Sequence, residues 1–178
     1  MIPFQTIQDM NLTEAEYNVV DEYTGGESLW INNYLRDRNL EGVTVREKSR
    51  LKKFAEILNN IIRSAPASVA STTVYRGAEA MDPSWLNLSR DEELIFVSHG
   101  IISTSFSSRT ALSFIEAESG CCLLILNLPK STRGVYIGNA SVFSDEDELL
   151  LPHGSVFVVT DVYVKNNVLT YEADLIGQ

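Results

Sequence analysis

The period of the hydrophobic pattern changes once, near Pro66, and that change does most to limit what this chain can fold into. Before it, apolar residues recur three and four apart: Leu51, Phe54, Leu58, Ile61 and Ile62 share one helical face. Beyond it, Val, Ile, Leu and aromatic residues gather into short runs punctuated by Gly, Pro and Asn. Helices first and strands later, in 178 residues, predict a single α+β domain over residues 1–178. Its helical region spans 1–66 and its β-rich core 72–178. The expected sheets are mostly antiparallel.

Local signals divide the chain further. Thr13 with Glu16, and Thr44 with Glu47, have the spacing of capping boxes, each opening a helix. Gly25-Gly26 stops the first helix, a second covers Leu29 to Arg36, and Pro66 ends the third. Strands are expected at Thr73–Tyr75, Leu94–Val97, Cys121–Leu128, Val135–Ile137, Leu149–Leu151, Ser155–Val164 and Val168–Leu175. Asn166-Asn167 reads as a hairpin tip, and a short helix, roughly Thr110 to Glu118, interrupts the strands.

Composition excludes several functions. No apolar run approaches the roughly 18 residues of a membrane span. Residues 1–16 have neither a basic nor an apolar leader segment, so the expected location is cytoplasmic, the protein acting where it is made or being delivered by separate machinery. A net charge of −10 argues against a nucleic-acid partner, whose backbone demands clustered Lys and Arg. An acidic surface suits a basic partner, although acidity mostly serves solubility. Cys121 and Cys122 are adjacent and expected to face opposite sides of a strand, which gives neither a disulfide nor a zinc site; no metal is expected.

Three segments break the habits of a β domain. Val74-Tyr75-Arg76-Gly77 ends an apolar strand on a charge. Alone it reads as an arginine paired to a core carboxylate; the functional reading is a fork that grips a phosphate, beside a glycine that admits a ligand. Ser103-Thr104-Ser105 packs hydroxyls at a strand end, which alone reads as a strand edge leading to a helix cap. The functional reading is a hydroxyl that orients a catalytic group. Asp145-Glu146-Asp147-Glu148 runs straight into Leu149-Leu150-Leu151. Alone it reads as a solvated acidic turn, but residues two apart in a strand share a face, so Glu146 and Glu148 would stand side by side. Paired carboxylates suit oxocarbenium chemistry at a glycosidic bond.

In this order the three segments resemble the R-S-E class of mono-ADP-ribosyltransferases, which includes actin-modifying binary toxins and phage enzymes. That class carries an arginine ending a strand, a Ser-Thr-Ser strand, and a Glu-x-Glu turn entering a Leu-rich strand. The resemblance extends to Tyr23-Thr24-Gly25 and Ile31-Asn32, which look like the helical region that contacts NAD⁺. Phe114 corresponds to the aromatic that stacks on nicotinamide, and Phe143 to the aromatic of the loop that meets the protein substrate. Ser28, Ala117, Gly100 and Met81 depart from residues common among relatives.

The resemblance implies two packed, mainly antiparallel β-sheets with an N-terminal helical layer and a central NAD⁺-binding cleft between the sheets. It implies transfer of ADP-ribose from NAD⁺, as substrate, to an arginine of a target protein with release of nicotinamide. Arg76, Ser103, Glu146 and Glu148 would be catalytic. Tyr23, Asn32, Arg76, Gly77, Ser103, Phe114 and Glu148 would bind NAD⁺, while Phe143 and Glu146 would recognise the acceptor. By analogy the enzyme is a phage protein or injected effector, and its target a host transcription or translation protein. An NAD⁺ glycohydrolase, or a non-catalytic NAD⁺-binding module, would carry many of the same residues.

Overall fold

Two capping boxes start the long helices where the sequence puts them. In the computed structural model, which describes residues 2–38, 40–78, 86–88, 93–115, 121–140 and 146–178, α1 spans Glu14–Glu22 and α3 spans Val45–Ser64. The Thr13 hydroxyl accepts from Glu16 N, and the Glu16 carboxylate accepts from Thr13 N at 2.8 Å. Thr44 and Glu47 repeat the exchange. Between them, α2 spans Ser28–Leu35, joined to α1 by a kink over Tyr23–Glu27. Gly26 makes that kink, at φ 129°, a backbone region closed to residues with a Cβ. The buried stripe of α3 is Leu51, Ala55, Leu58, Ile61 and Ile62. At about 1.5–3 kcal/mol for each large side chain buried, this stripe rather than propensity holds the helix. α4, Ser108–Ser113, is capped by Ser107 and is shorter than expected; residues 116–118 of the expected span lie outside the described residues.

The strands are β1 (Thr72–Ala78), β2 (Leu86–Leu88), β3 (Leu94–Val97), β4 (Ile102–Ser105), β5 (Cys122–Leu128), β6 (Val135–Tyr136), β7 (Glu148–Leu151), β8 (Val156–Lys165) and β9 (Val168–Gly177). They join in the order β2-β3-β8-β9-β5-β1-β4-β7-β6. The α+β class and mainly antiparallel pairing are as expected, with β5–β9 parallel. The two expected sheets prove to be two halves of one hydrogen-bonded sheet. β1 pairs with β5 along its whole length, but with β4 only at Tyr75↔Ser105. That lone rung is a seam between β2-β3-β8-β9-β5-β1 and β4-β7-β6. At the β8–β9 tip, Asn166 and Asn167 have φ of 52° and 63°, the paired left-handed geometry of a tight hairpin turn.

The short half lies between two cores. Leu150 and Ile101 pack with the helices, beside Val19, Tyr23, Ile31 and Ile62. Leu149, Leu151 and Ile102 face the other core with Val74, Phe96 and Phe157. Every residue of β7 is therefore buried, including Glu148. Cys122 is buried, Cys121 half-buried, and both are free thiols. Among the described residues no helix is long and apolar enough to cross a membrane.

Candidate active site

A carboxylate that is only 6% exposed needs a partner. Glu148 opens β7 opposite Ser105 and one antiparallel step from Ser103. Ser103 Oγ donates to Glu148 Oε1 at 2.6 Å, and Thr104 Oγ1 donates to the Leu149 carbonyl at 2.9 Å, fixing the two strands. Burial pushes the Glu148 carboxyl above the usual carboxylate range. The Ser103 hydroxyl pulls it back, Glu146 adds to the rise and Arg76 opposes it. The Ser-Thr-Ser segment is thus a strand in its own right, with its first hydroxyl on the buried acid.

Glu146 lies in the same cavity as Glu148, but strand alternation is not what brings them together. β7 begins at Glu148, so Glu146 and Asp147 form the turn before it. Asp147 has φ 48°, the left-handed region, which rotates its exposed side chain out while Glu146 lines the cavity. Ser105 Oγ holds the Glu146 carbonyl at 2.6 Å. Burial raises the Glu146 carboxyl as well.

Arg76 answers the seam. Past the single Tyr75↔Ser105 rung, β1 and β4 are not paired at Ser103, whose carbonyl lies within reach of Arg76. Arg76 Nη1 donates to that carbonyl at 2.6 Å. The guanidinium thus serves the backbone while remaining in the cavity wall. Gly77 also lines the cavity, but a different neighbour requires it to be glycine: a Cβ there would sit 2.2 Å from the Ala111 carbonyl, so the missing side chain lets α4 dock on β1. Phe114, at the end of α4, is 58% exposed at the cavity edge.

The helical layer closes the far side. Asn32 Oδ1 accepts from Ile101 N at 2.8 Å, and its Nδ2 donates to Tyr23 Oη at 3.2 Å. The amide oxygen thereby ties α2 to the segment entering β4, and its nitrogen ties α2 to the α1–α2 kink. Gly100 makes room, since a Cβ there would stand 2.7 Å from Asn32 Oδ1. Tyr23 is 1% exposed, and burial, with Glu148 adding, pushes its phenol up to about 12, so it stays neutral.

These groups share a cavity of about 340 Å³ lined by the α1–α2 kink, β1, β4, α4 and the start of β7, a volume at the lower end for small-molecule sites. Tyr23, Asn32, Arg76, Gly77, Ser103, Phe114, Glu146 and Glu148 all line it. Phe143, Ala117 and Met81 lie outside the described residues. The wall also includes Thr24, Tyr75, Ser105 and Thr110, which sequence reasoning did not select. Thr24, Tyr75 and Ser105 stood inside the Tyr23-Thr24-Gly25, Val74-Tyr75-Arg76-Gly77 and Ser103-Thr104-Ser105 segments, whereas Thr110 carried no signal. Among the described residues no group of His, Cys, Asp and Glu could hold a metal.

Solved structures share this fold. Plx2a, an ADP-ribosyltransferase toxin from Paenibacillus larvae, superimposes with a TM-score of 0.72 at 22% identity, covering 93% of this chain and 88% of its own. C3stau2 from S. aureus, solved with NAD, gives 0.72 at 19% identity over 97% and 91%. The ADP-ribosyltransferase Vis, from Vibrio splendidus, solved with agmatine, gives 0.70 at 18% over 93% and 76%. An uncharacterised protein of Acanthamoeba polyphaga mimivirus is 26% identical across 99% of this chain, which spans a quarter of that relative's length. The family model described as ADP-ribosyltransferase exoenzyme matches residues 4–175, nearly all of the sequence, and the chain belongs to that family.

Proposed function

We propose that the chain transfers ADP-ribose from NAD⁺ to an arginine side chain of another protein and releases nicotinamide. The observation that carries this reading is the buried Glu148 carboxylate, bonded by Ser103 and sharing one cavity with Arg76 and Glu146. Breaking the nicotinamide–ribose bond builds positive charge on the sugar. Glu148 accepts a hydrogen bond from a ribose hydroxyl and stabilises that charge where it develops. Ser103 keeps Glu148 oriented, Arg76 binds a phosphate of NAD⁺, and Phe114 stacks on the nicotinamide. Asn32 and Tyr23 form the opposite wall, held by the bonds of the Asn32 amide to Tyr23 Oη and Ile101 N.

Glu146 gives the reading its acceptor. A guanidinium is protonated at neutral pH and a poor nucleophile. A carboxylate beside the reacting carbon binds it and takes its proton as nitrogen bonds to the ribose. The raised Glu146 carboxyl suits a proton acceptor. Vis, a relative in fold, has been solved with agmatine, itself a guanidine. The net charge of −10 favours a basic target surface, with a host transcription or translation protein the first candidate. The test is a paired assay of nicotinamide release and labelled ADP-ribose incorporation, with agmatine or an arginine-bearing protein as acceptor. Glu146→Gln should lose transfer yet still cleave NAD⁺ slowly with water. Equal loss of both signals removes the case for arginine.

A further inference from the structure

The turn that presents Glu146 is held from two sides. From β4, Ser105 Oγ grips the Glu146 carbonyl and Phe106 N donates to the Asp147 carbonyl at 3.3 Å. From β6, Tyr136 Oη donates to Asp147 Oδ1 at 2.9 Å, and Ile137 N donates to the Glu148 carbonyl at 2.9 Å. Tyr136 is itself immobilised. Its ring meets Phe106 edge-on with centroids 5.8 Å apart, its N donates to the Gln5 carbonyl at 3.1 Å, and Gly138 lets the chain pass where a Cβ would sit 2.9 Å from the ring. Burial, then the Asp147 carboxylate, raises the Tyr136 hydroxyl, so it remains the donor through neutral pH.

Neither Tyr136 nor Asp147 lines the cavity. Their bond instead fixes the Asp147 side chain beside a left-handed backbone, φ 48°, and the preceding peptide unit leads back to Glu146. Glu148 does not depend on this bond, because Ser103 and the β4–β7 ladder hold it. The Glu148 side chain is thus held by Ser103 while the Glu146 side chain follows the turn, although β6 reaches both segments. We propose that Tyr136 and Asp147 form a clamp that positions Glu146 for the acceptor, and so set how the ADP-ribosyl group is divided between a guanidine and water. They are positioning residues, and the proposal rests on the transferase reading above.

The test measures nicotinamide release without acceptor and ADP-ribosyl-agmatine formation with it. Tyr136→Phe should lower transfer on the order of tenfold, the loss of one hydrogen bond to a charged group. Hydrolysis should stay within about twofold, because the Ser103–Glu148 bond is left in place. Asp147→Gly removes the acceptor oxygen at a position whose φ suits glycine, and should shift the ratio equally if strain is not the issue. Asp147→Asn keeps an oxygen and tolerates left-handed φ, and should keep the wild-type ratio. The double variant Tyr136→Phe/Asp147→Gly should be no worse than either single one. A wild-type ratio in either Tyr136→Phe or Asp147→Gly, or parallel loss of both activities, overturns the clamp. Failure of the wild-type protein to modify agmatine would instead remove the transferase reading itself.

Discussion

Replacing Ser103 with alanine deletes one hydroxyl and with it the 2.6 Å bond to Glu148 Oε1. The carboxylate is 6% exposed, so water is poorly placed to substitute. A hydrogen bond to a charged group contributes about 1.5–3 kcal/mol, and about 1.4 kcal/mol corresponds to a factor of ten in rate. kcat for NAD⁺ cleavage should therefore fall about ten- to a hundredfold, alike for transfer and hydrolysis. The pH dependence supplies a second reading. In the proposed mechanism Glu148 would act as its anion, and the Ser103 bond lowers a carboxyl that burial has raised. Without it the carboxyl rises further, and the acid limb of the rate profile moves toward neutrality. Nicotinamide release followed from acid to mildly alkaline pH, for wild type and variant, gives both numbers. An unmoved acid limb with a rate near wild type would refute the idea that Ser103 holds the ionised acid.

Glu148→Gln should abolish transfer and hydrolysis, by on the order of a hundredfold or more, in the same assay. It should also raise the melting temperature at neutral pH. The folded carboxyl lies above its unfolded value, so ionisation in the buried site costs stability above the ordinary carboxylate range, and the gain should vanish below it; thermal melts at both pH values check the sign. Gly77→Ala puts a Cβ 2.2 Å from the Ala111 carbonyl, a backbone atom, and should cost about 1–3 kcal/mol in urea unfolding as α4 is pushed from β1. Gly100→Ala crowds Asn32 off Ile101 N. It should raise KM for NAD⁺ more than it lowers kcat in steady-state kinetics, and an unchanged KM would count against Asn32 as part of the binding wall.

Much of this was legible in the sequence because its signals are local. Capping boxes, the α3 stripe and the Asn166-Asn167 turn each depend on a few neighbouring residues, and each formed, with Ala55 buried in the stripe and Phe54 half-buried at its edge. Arg76, Ser103 and Glu148 could be chosen because charge and hydroxyl groups stood where a strand should be apolar. Features set by long-range pairing were hidden. The seam depends on which β1 residues meet β4, a register no local pattern encodes. Asp147 gave no warning of its left-handed backbone, because aspartate is common in turns of every kind, so the two glutamates were brought together by a route that alternation did not foresee. The double engagement of Asn32 needed a helix, a tyrosine and a glycine loop to be assembled first.

The lone Tyr75↔Ser105 rung has a consequence for how such a site can change over time. The guanidinium stands on one margin of the split and the two carboxylates on the other, and each margin is braced by its own neighbours: β5 behind Arg76, the helices and β6 behind Glu148. Remodelling the turn before β7 therefore leaves the ladder behind Arg76 untouched. A lineage could exchange one acceptor for another on the carboxylate margin while the opposite margin continued to hold the same dinucleotide.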